Sequence, residues 1–202
     1  MRQIHLQDTV ACDVLVVGGG AAGIRAALTA TGAGRDTVLL AESPVGETGS
    51  TFYPLSPPWG LLYAEDERDA QTFYDEMVAA AGGCIDLRLA KTLAEESVRV
   101  RDTLLGEGLP LRTHASMGLT GCFGAKPRGA VLQTLDAART HWGCALGGTS
   151  GLRQIIGWQA VTLLMSGERV AGIVAMDARG GLLLVRAKAV VLATGGTIGL
   201  YQ

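Results

Sequence analysis

The chain has 202 residues, of which 48% are hydrophobic and 18% charged, and its formal net charge at pH 7 is −2. This length allows one ordinary domain or slightly more, with a large buried core. The near-neutral charge and scattered basic residues argue against nucleic-acid binding, and no apolar stretch is long enough to span a membrane. Four widely spaced cysteines without a metal-binding spacing, and no signal-peptide pattern, predict a reducing, cytoplasmic location.

The first predicted elements are a strand, a glycine-rich turn, a helix and a second strand. The run CDVLVV is short, apolar and rich in valine, as in a strand buried on both faces of a parallel sheet. Helix-forming residues follow from residue 21 to about residue 33, and DTVLLAE has the pattern of a second buried strand. The turn carries three glycines at the GxGxxG spacing: Gly18, Gly20 and Gly23.

This spacing predicts a site for a dinucleotide diphosphate. Gly18 permits a sharp turn, Gly20 lets the diphosphate approach the main chain, and Gly23 lets the helix pack closely on the strand. The first helical turn, which includes Ala22, presents free amide hydrogens and the positive end of the helix dipole. Glu42, after the second strand, can bind ribose hydroxyls and disfavours a 2′-phosphate. The turn alone leaves NAD, FAD and a purely structural role open.

Three segments resemble the flavoprotein family of fumarate reductase, the succinate dehydrogenase flavoprotein subunit and L-aspartate oxidase: DVLVVGGGAAG, SPVGETGSTFYPLSPPWG and AKAVVLATGGTIGLY. The resemblance covers both ends of the chain and is loose over residues 60–150. It implies an FAD cofactor whose diphosphate lies on the glycine turn and whose adenosine ribose binds Glu42. Gly49, Ser50 and Thr51 match the G-S-T element of this family beside the flavin and its ribityl chain.

The chemistry of the G-S-T element suits a flavin. A glycine followed by two hydroxyl residues supplies N–H and O–H donors to an electron-rich ring edge, although a helix N-cap or a Ser/Thr turn uses the same residues. Family members with covalently bound flavin have a histidine in this element, and none occurs here, so non-covalent FAD is implied. The following YPLSPPWG departs from the glycine-rich continuation of the family, because its prolines donate no N–H.

The middle of the chain predicts two amphipathic helices and a loop. Apolar residues recur at helical spacing from residue 65 to about 81 and from 86 to about 106. The loop-like segment that follows contains His114, Lys126 and Arg128, which could contact an anionic substrate. A position on the solvated surface is favoured for each of them.

The last part of the chain predicts a helix from residue 130 to about 141 and strands at 170–177, 182–186 and 189–193, the first two joined by a Gly-Gly hairpin. In the resembling family this region returns to the flavin domain, with a segment near Ala160 beside the adenine. In that family the ATGG segment after the last strand makes a close turn near the cofactor. The alternative is a strand end followed by a glycine turn without a cofactor contact. The candidate contacts in that turn are Ala193, Thr194, Gly195 and Gly196.

The predicted fold is α/β: a doubly wound, Rossmann-like FAD-binding domain with a helical insertion and a small β-meander. Residues 1–60 would form its first part, residues 61–129 the insertion, and residues 130–202 the return. In the resembling family the chain continues into a capping domain that supplies substrate-binding arginines and histidines. The resemblance therefore implies C-terminal truncation, with exposed sheet positions that favour a partner chain or a homo-oligomer.

The resemblance implies a flavin-dependent oxidoreductase that transfers a hydride at a C–C bond next to a carboxylate or carbonyl. Its substrate would be a small carboxylate or ketone, no catalytic residue is identified, and the isolated chain is expected to be inactive. One alternative is an NAD-dependent dehydrogenase, against which the TGST and ATGG segments count. Another is a non-catalytic nucleotide-binding fragment that acts through a partner chain.

Overall fold

The computed structural model describes residues 6–54, 59–113 and 128–196. Contacts divide the chain into two compact units, Met1–Tyr53 with Trp142–Gln202, and Pro54–His141. The three-part division at residues 60 and 129 stays a prediction. In chain order, the elements are β1 (Leu6–Val17), α1 (Ala21–Gly32), β2 (Thr37–Ala41), β3 (Gly60–Leu61), α2 (Ala70–Ala80), α3 (Leu87–Gly106), β4 (Leu111–Thr113), β5 (Ala130–Leu132), α4 (Leu135–Gly147), β6 (Leu152–Ile156), β7 (Trp158–Ser166), β8 (Arg169–Asp177) and β9 (Leu182–Leu192).

The first unit is built on a six-stranded sheet with the order β6-β2-β1-β9-β8-β7. β6, β2, β1 and β9 are parallel, whereas β8 and β7 continue the sheet in antiparallel pairing. From β1 the chain passes through α1 to β2 on one side, and β9 returns on the other side. The order of the strands therefore reverses between β1 and β9, and the predicted α/β fold is confirmed.

The core of the first unit lies on both faces of the parallel strands. α1 contacts β1 and β2 and buries Ile24 and Ala27 completely. The other face carries an apolar cluster from β1, β2, β8 and β9, against which Trp158 and Ala160 of β7 also pack. β7 lies four positions from β2 in the strand order but contacts it, so the antiparallel strands curl back over the parallel ones. This burial on both faces explains the continuous apolar run of β2, in which all five residues are buried.

Three predictions about the last third of the chain were wrong in detail. Residues 130–132 form strand β5 rather than the start of a helix, because they pair with β3 and β4. The helix begins at Leu135, where the hydroxyl of Thr134 accepts a hydrogen bond from the Ala137 amide. The strands predicted at 182–186 and 189–193 are one strand, β9, because β1 pairs with it along its length. β6 and β7 were missed, since several of their side chains face solvent and no strict alternation marks them.

The second unit contains the two predicted amphipathic helices, α2 and α3, and a small antiparallel sheet with the order β3-β5-β4. Its apolar core includes Phe73 and Ala94, which are almost completely buried. The carboxylate of Asp86 accepts hydrogen bonds from the amides of Arg88 and Leu89, at 2.9 and 3.1 Å, and so caps α3. Within the ranges described, no helix is long and apolar enough to cross a bilayer.

Arg128 is buried in the second unit, contrary to the surface position favoured by the sequence. Only 2% of it is exposed. Its guanidinium donates to both carboxylate oxygens of Asp69, to Glu76 at 2.6 Å, and lies 5.0 Å above the ring of Phe73. The hydrogen bonds to Asp69, followed by those to Glu76, raise the pKa of Arg128 above its ordinary value, against the opposing effect of burial. His114 and Lys126 lie outside the described residues.

We expect Arg128→Met to destabilise the protein by about 3–5 kcal/mol, because it leaves two carboxylates in the interior without their cation. The matched control is Lys91→Met, which removes an exposed helical ion pair with Glu95 and should cost about 0.5 kcal/mol or less. Urea unfolding of both variants measures the difference. Equal losses of unfolding free energy would show that the Arg128 cluster is not a structural anchor.

Candidate functional site

The four parallel strands of the first unit end at one edge of the sheet. Val17, the last residue of β1, is in register with Leu40 of β2 and Leu192 of β9. Just beyond, the Gly18 amide donates to the carbonyl of Leu40, and the Ala193 amide donates to the carbonyl of Val17, both at 2.8 Å. In open α/β sheets, ligands bind outside this edge at the point where the strand order reverses.

Two glycines of the first turn are required by the packing of the main chain. Gly18 has a φ of +117°, and a Cβ there would lie 2.2 Å from the carbonyl oxygen of Ala193. A Cβ at Gly23 would lie 1.8 Å from the carbonyl oxygen of Gly18. Side chains at these positions would therefore separate β1 from α1 and from the end of β9.

Gly20 has a different environment. It is the N-cap residue of α1, in an extended conformation with φ −78° and ψ 179° that any residue can adopt. A Cβ there would meet only Thr51 Oγ1, at 3.4 Å. Neither the backbone nor the packing demands a glycine here, so the open space in front of Gly20 remains available to a ligand.

The N-terminus of α1 presents amide donors to that space. The Ala21 amide donates to Thr51 Oγ1 at 3.1 Å. The next two amides, those of Ala22 and Gly23, donate to no acceptor among the residues that the structure describes. The first turn of α1 contains no acidic residue. Free amides at the positive end of a helix dipole suit an anion such as a diphosphate.

The structure gives Thr51 a role at the start of α1. Its side chain is buried, and its hydroxyl serves as the cap that Gly20 cannot supply. The next residue, Phe52, is 1% exposed and meets the ring of Trp142 edge-on at 5.5 Å, which fixes the segment in place. Gly49 and Ser50 are exposed, so of the G-S-T element only Thr51 reaches into the fold.

A cavity of about 270 Å³ lies at the carboxyl ends of β1 and β2 and collects several predicted contacts from distant parts of the chain. Four of them line it: Gly18, Glu42, Ala160 and Thr194. Sequence reasoning missed two further lining residues, Trp158 and Gln159, although they immediately precede Ala160. The predicted contacts Gly195 and Gly196 lie nearby in the chain and are exposed. A larger groove of about 740 Å³ in the second unit is lined by none of the predicted contacts.

A strand–turn–helix–strand unit with an open helix N-terminus, an acid after the second strand and a site at the reversal of strand order defines a dinucleotide-binding domain of the Rossmann type. The family model described as "FAD binding domain" matches residues 13–201. The chain belongs to this family, and the prediction of FAD as the cofactor is confirmed.

Curated relatives and solved structures agree with this assignment. The chain is 30% identical to L-aspartate oxidase of Mycobacterium tuberculosis, over 95% of this chain and 37% of that protein. It is 32% identical to L-aspartate oxidase of Streptomyces coelicolor, over 93% of this chain and 33% of that protein. The chain therefore spans about a third of the length of these relatives.

Among solved structures, the chain is similar to a mutant of the E. coli quinol fumarate reductase FrdA, with a TM-score of 0.76 and 21% identity over 94% of this chain and 33% of that one. It is also similar to the Mycobacterium smegmatis Sdh1 complex, with a TM-score of 0.74 and 22% identity over 94% of this chain and 35% of that one. At these identities the likeness establishes the shared fold.

We expect Gly23→Ala to destabilise the protein by about 3 kcal/mol or more, because the new methyl group would overlap the carbonyl oxygen of Gly18. Gly32→Ala, at the other end of α1, meets no atom within 4 Å and should be neutral or stabilising by up to about 1 kcal/mol. Chemical denaturation of the two variants tests this contrast. A fully stable Gly23→Ala protein would contradict the packing described here.

We expect Thr51→Val to lower the unfolding free energy by about 1–2 kcal/mol, because the buried cap of α1 loses its acceptor while side-chain volume is kept. Hydrogen exchange at the Ala21 amide is the direct measurement, and it should become faster. Thr51→Ser keeps the acceptor and should keep that amide protected. Equal protection in both variants would show that the hydroxyl does not cap the helix.

Proposed function

We propose that this chain is the FAD-binding part of a flavin-dependent oxidoreductase related to fumarate reductase, succinate dehydrogenase and L-aspartate oxidase. The observation that carries the proposal is the open N-terminus of α1 at Gly20, next to the cavity that Glu42 lines. A curated relative that is 30% identical to this chain is named L-aspartate oxidase, and the structural neighbours include a quinol fumarate reductase.

The diphosphate is assigned to the glycine turn. In this arrangement Gly20 lets the phosphates approach the main chain, while Ala22 and Gly23 donate their amide hydrogens. Gly18 holds the turn in the required conformation. The donors are uncharged backbone amides at a helix N-terminus, and the first turn of the helix contains no acidic residue that would repel an anion. This chemistry fits a doubly charged anion.

The two ends of FAD are assigned to opposite sides of that turn. Glu42 would accept hydrogen bonds from the adenosine ribose, with Ala160 beside the adenine. Two short segments would face the flavin and its ribityl chain: Gly49, Ser50 and Thr51, and Ala193, Thr194, Gly195 and Gly196. Because the Thr51 hydroxyl already accepts from Ala21, its contribution to the ribityl side would come from its remaining hydrogen-bonding capacity.

Bound FAD supplies hydride transfer, here at a C–C bond next to a carboxylate or carbonyl of a small substrate. The residues of this chain bind the cofactor and orient it, and none of the assigned contacts is a proton donor to the substrate. The relatives are about three times as long as this chain. We therefore propose that substrate binding and proton transfer depend on polypeptide beyond these residues.

A partner chain, or a second copy, belongs to the same proposal. Large apolar side chains on β7 and β9 are exposed, among them Val161, Met165 and Leu192 at 56%, 55% and 59%. The Mycobacterium smegmatis neighbour is itself described as a complex. We place the protein in the cytoplasm, since the free thiols of Cys12, Cys84 and Cys144 suit a reducing compartment.

The visible spectrum of the purified chain, before and after incubation with FAD, tests the proposal. We expect flavin absorption bands that persist through desalting and are released by denaturation, as for non-covalent FAD. A colourless protein that binds NAD would favour a dehydrogenase. A colourless protein that binds neither would favour a non-catalytic fragment.

The matched variant is Gly20→Val. It should fold, because the extended backbone at this position tolerates a side chain, but it should retain FAD at least about tenfold less tightly, since the side chain fills the space of the diphosphate. Gly32→Ala, in the same helix but away from the turn, is the control and should bind FAD as the parent does. Equal FAD content in the Gly20→Val and parent proteins would overturn the assignment of the diphosphate site.

A further inference from the structure

We propose that Trp158 recognises the adenine end of the cofactor by stacking its indole on the adenine ring, within the cavity that Glu42 lines. The inference deepens the proposed function and depends on it. It assigns a specificity-determining residue that the glycine turn and the acid after β2 do not reveal.

The size and position of the cavity select the part of FAD that it can receive. Its volume of about 270 Å³ is below the range of roughly 300–1,000 Å³ that is usual for sites enclosing a whole small molecule. It therefore suits one end of a dinucleotide. Because Glu42 and Gly18 both line it, the end in question is the nucleoside next to the ribose that Glu42 binds.

Trp158 packs against the core at this place. It is half-buried, packs against the apolar cluster of the sheet and lines the cavity, so the same side chain contacts both the core and the open space. Gly157 precedes it with a φ of +88°, and its amide donates to the carbonyl of Ala41 at 3.0 Å. This hydrogen bond fixes the start of β7 beside the residue that precedes Glu42. The packing of the indole against the core limits the side-chain entropy that is lost when a ligand binds.

The chemistry of the lining points to a planar aromatic group. Trp158 is the aromatic residue among those that line the cavity, and the neighbouring Gly18 and Ala160 are small enough to leave room for a flat ring. A purine has the extended π-face that an indole stacks on. The exposed amide of Gln159, also in the lining, has donors and acceptors that suit the edge of the same base.

The test compares Trp158→Leu and Trp158→Phe with the parent chain, with ADP, FAD and inorganic pyrophosphate as probes. We expect Trp158→Leu to weaken ADP and FAD binding by the same factor, about tenfold, because both carry adenine. Pyrophosphate, which has no base, should bind all three proteins equally. Trp158→Phe keeps an aromatic ring and should recover most of the affinity. Isothermal titration calorimetry gives the constants, and thermal unfolding checks the fold.

Fluorescence adds a readout that does not depend on the stability of the leucine variant. Addition of ADP should quench tryptophan emission in the parent, and this quenching should disappear in Trp158→Phe. Unchanged ADP affinity in Trp158→Leu, or equal quenching in Trp158→Phe and the parent, would overturn the inference while leaving FAD binding intact. Loss of pyrophosphate binding in Trp158→Leu would show a structural role instead. A parent chain that binds neither ADP nor FAD would overturn the proposed function as well.

Discussion

The close approach of three main-chain segments at the end of β1 is the constraint on which the cofactor site depends. The carbonyl oxygens of Ala193 and Gly18 occupy the space where side chains at Gly18 and Gly23 would otherwise lie. Because these two glycines have no Cβ, α1 can begin directly beside the strand ends. The same geometry places the amides of Ala22 and Gly23 at the point where the strand order reverses.

The electrostatics of the site follow from this packing. Helix α1 begins at a glycine that has no side chain to cap it, and Thr51 supplies one cap from a later segment. The amides of Ala22 and Gly23 have no acceptor within the described part of the chain, and such a helix N-terminus suits an anion, for which we propose the diphosphate. In the proposed site, binding strength would come from backbone groups held in place by packing, and Glu42 is the charged side chain that lines the neighbouring cavity.

The second unit shows a different way of stabilising a fold. In this unit the guanidinium of Arg128 is buried and forms ion pairs with the carboxylates of Asp69 and Glu76. The attraction between the ions offsets the hydration that they lose on burial, and removal of one partner would leave the opposite charge buried without compensation. Arg128 can therefore lie in the interior, because two carboxylates reach it: Asp69, the residue before α2, and Glu76, within α2.

The sequence by itself determined the first strand–turn–helix–strand unit and the α/β fold, and it predicted a dinucleotide site at the turn, because hydrophobic period and glycine spacing act over short stretches of chain. It also predicted Glu42 and Ala160 as cofactor contacts, and the structure shows that both line one cavity. Only the tertiary structure decided that Thr51 caps α1, that Arg128 is buried, that residues 130–132 pair as a strand, and that Trp158 lines the same cavity as Glu42. Each of these features depends on contacts between segments far apart in the chain. Such contacts produce no short-range sequence pattern from which they could be predicted.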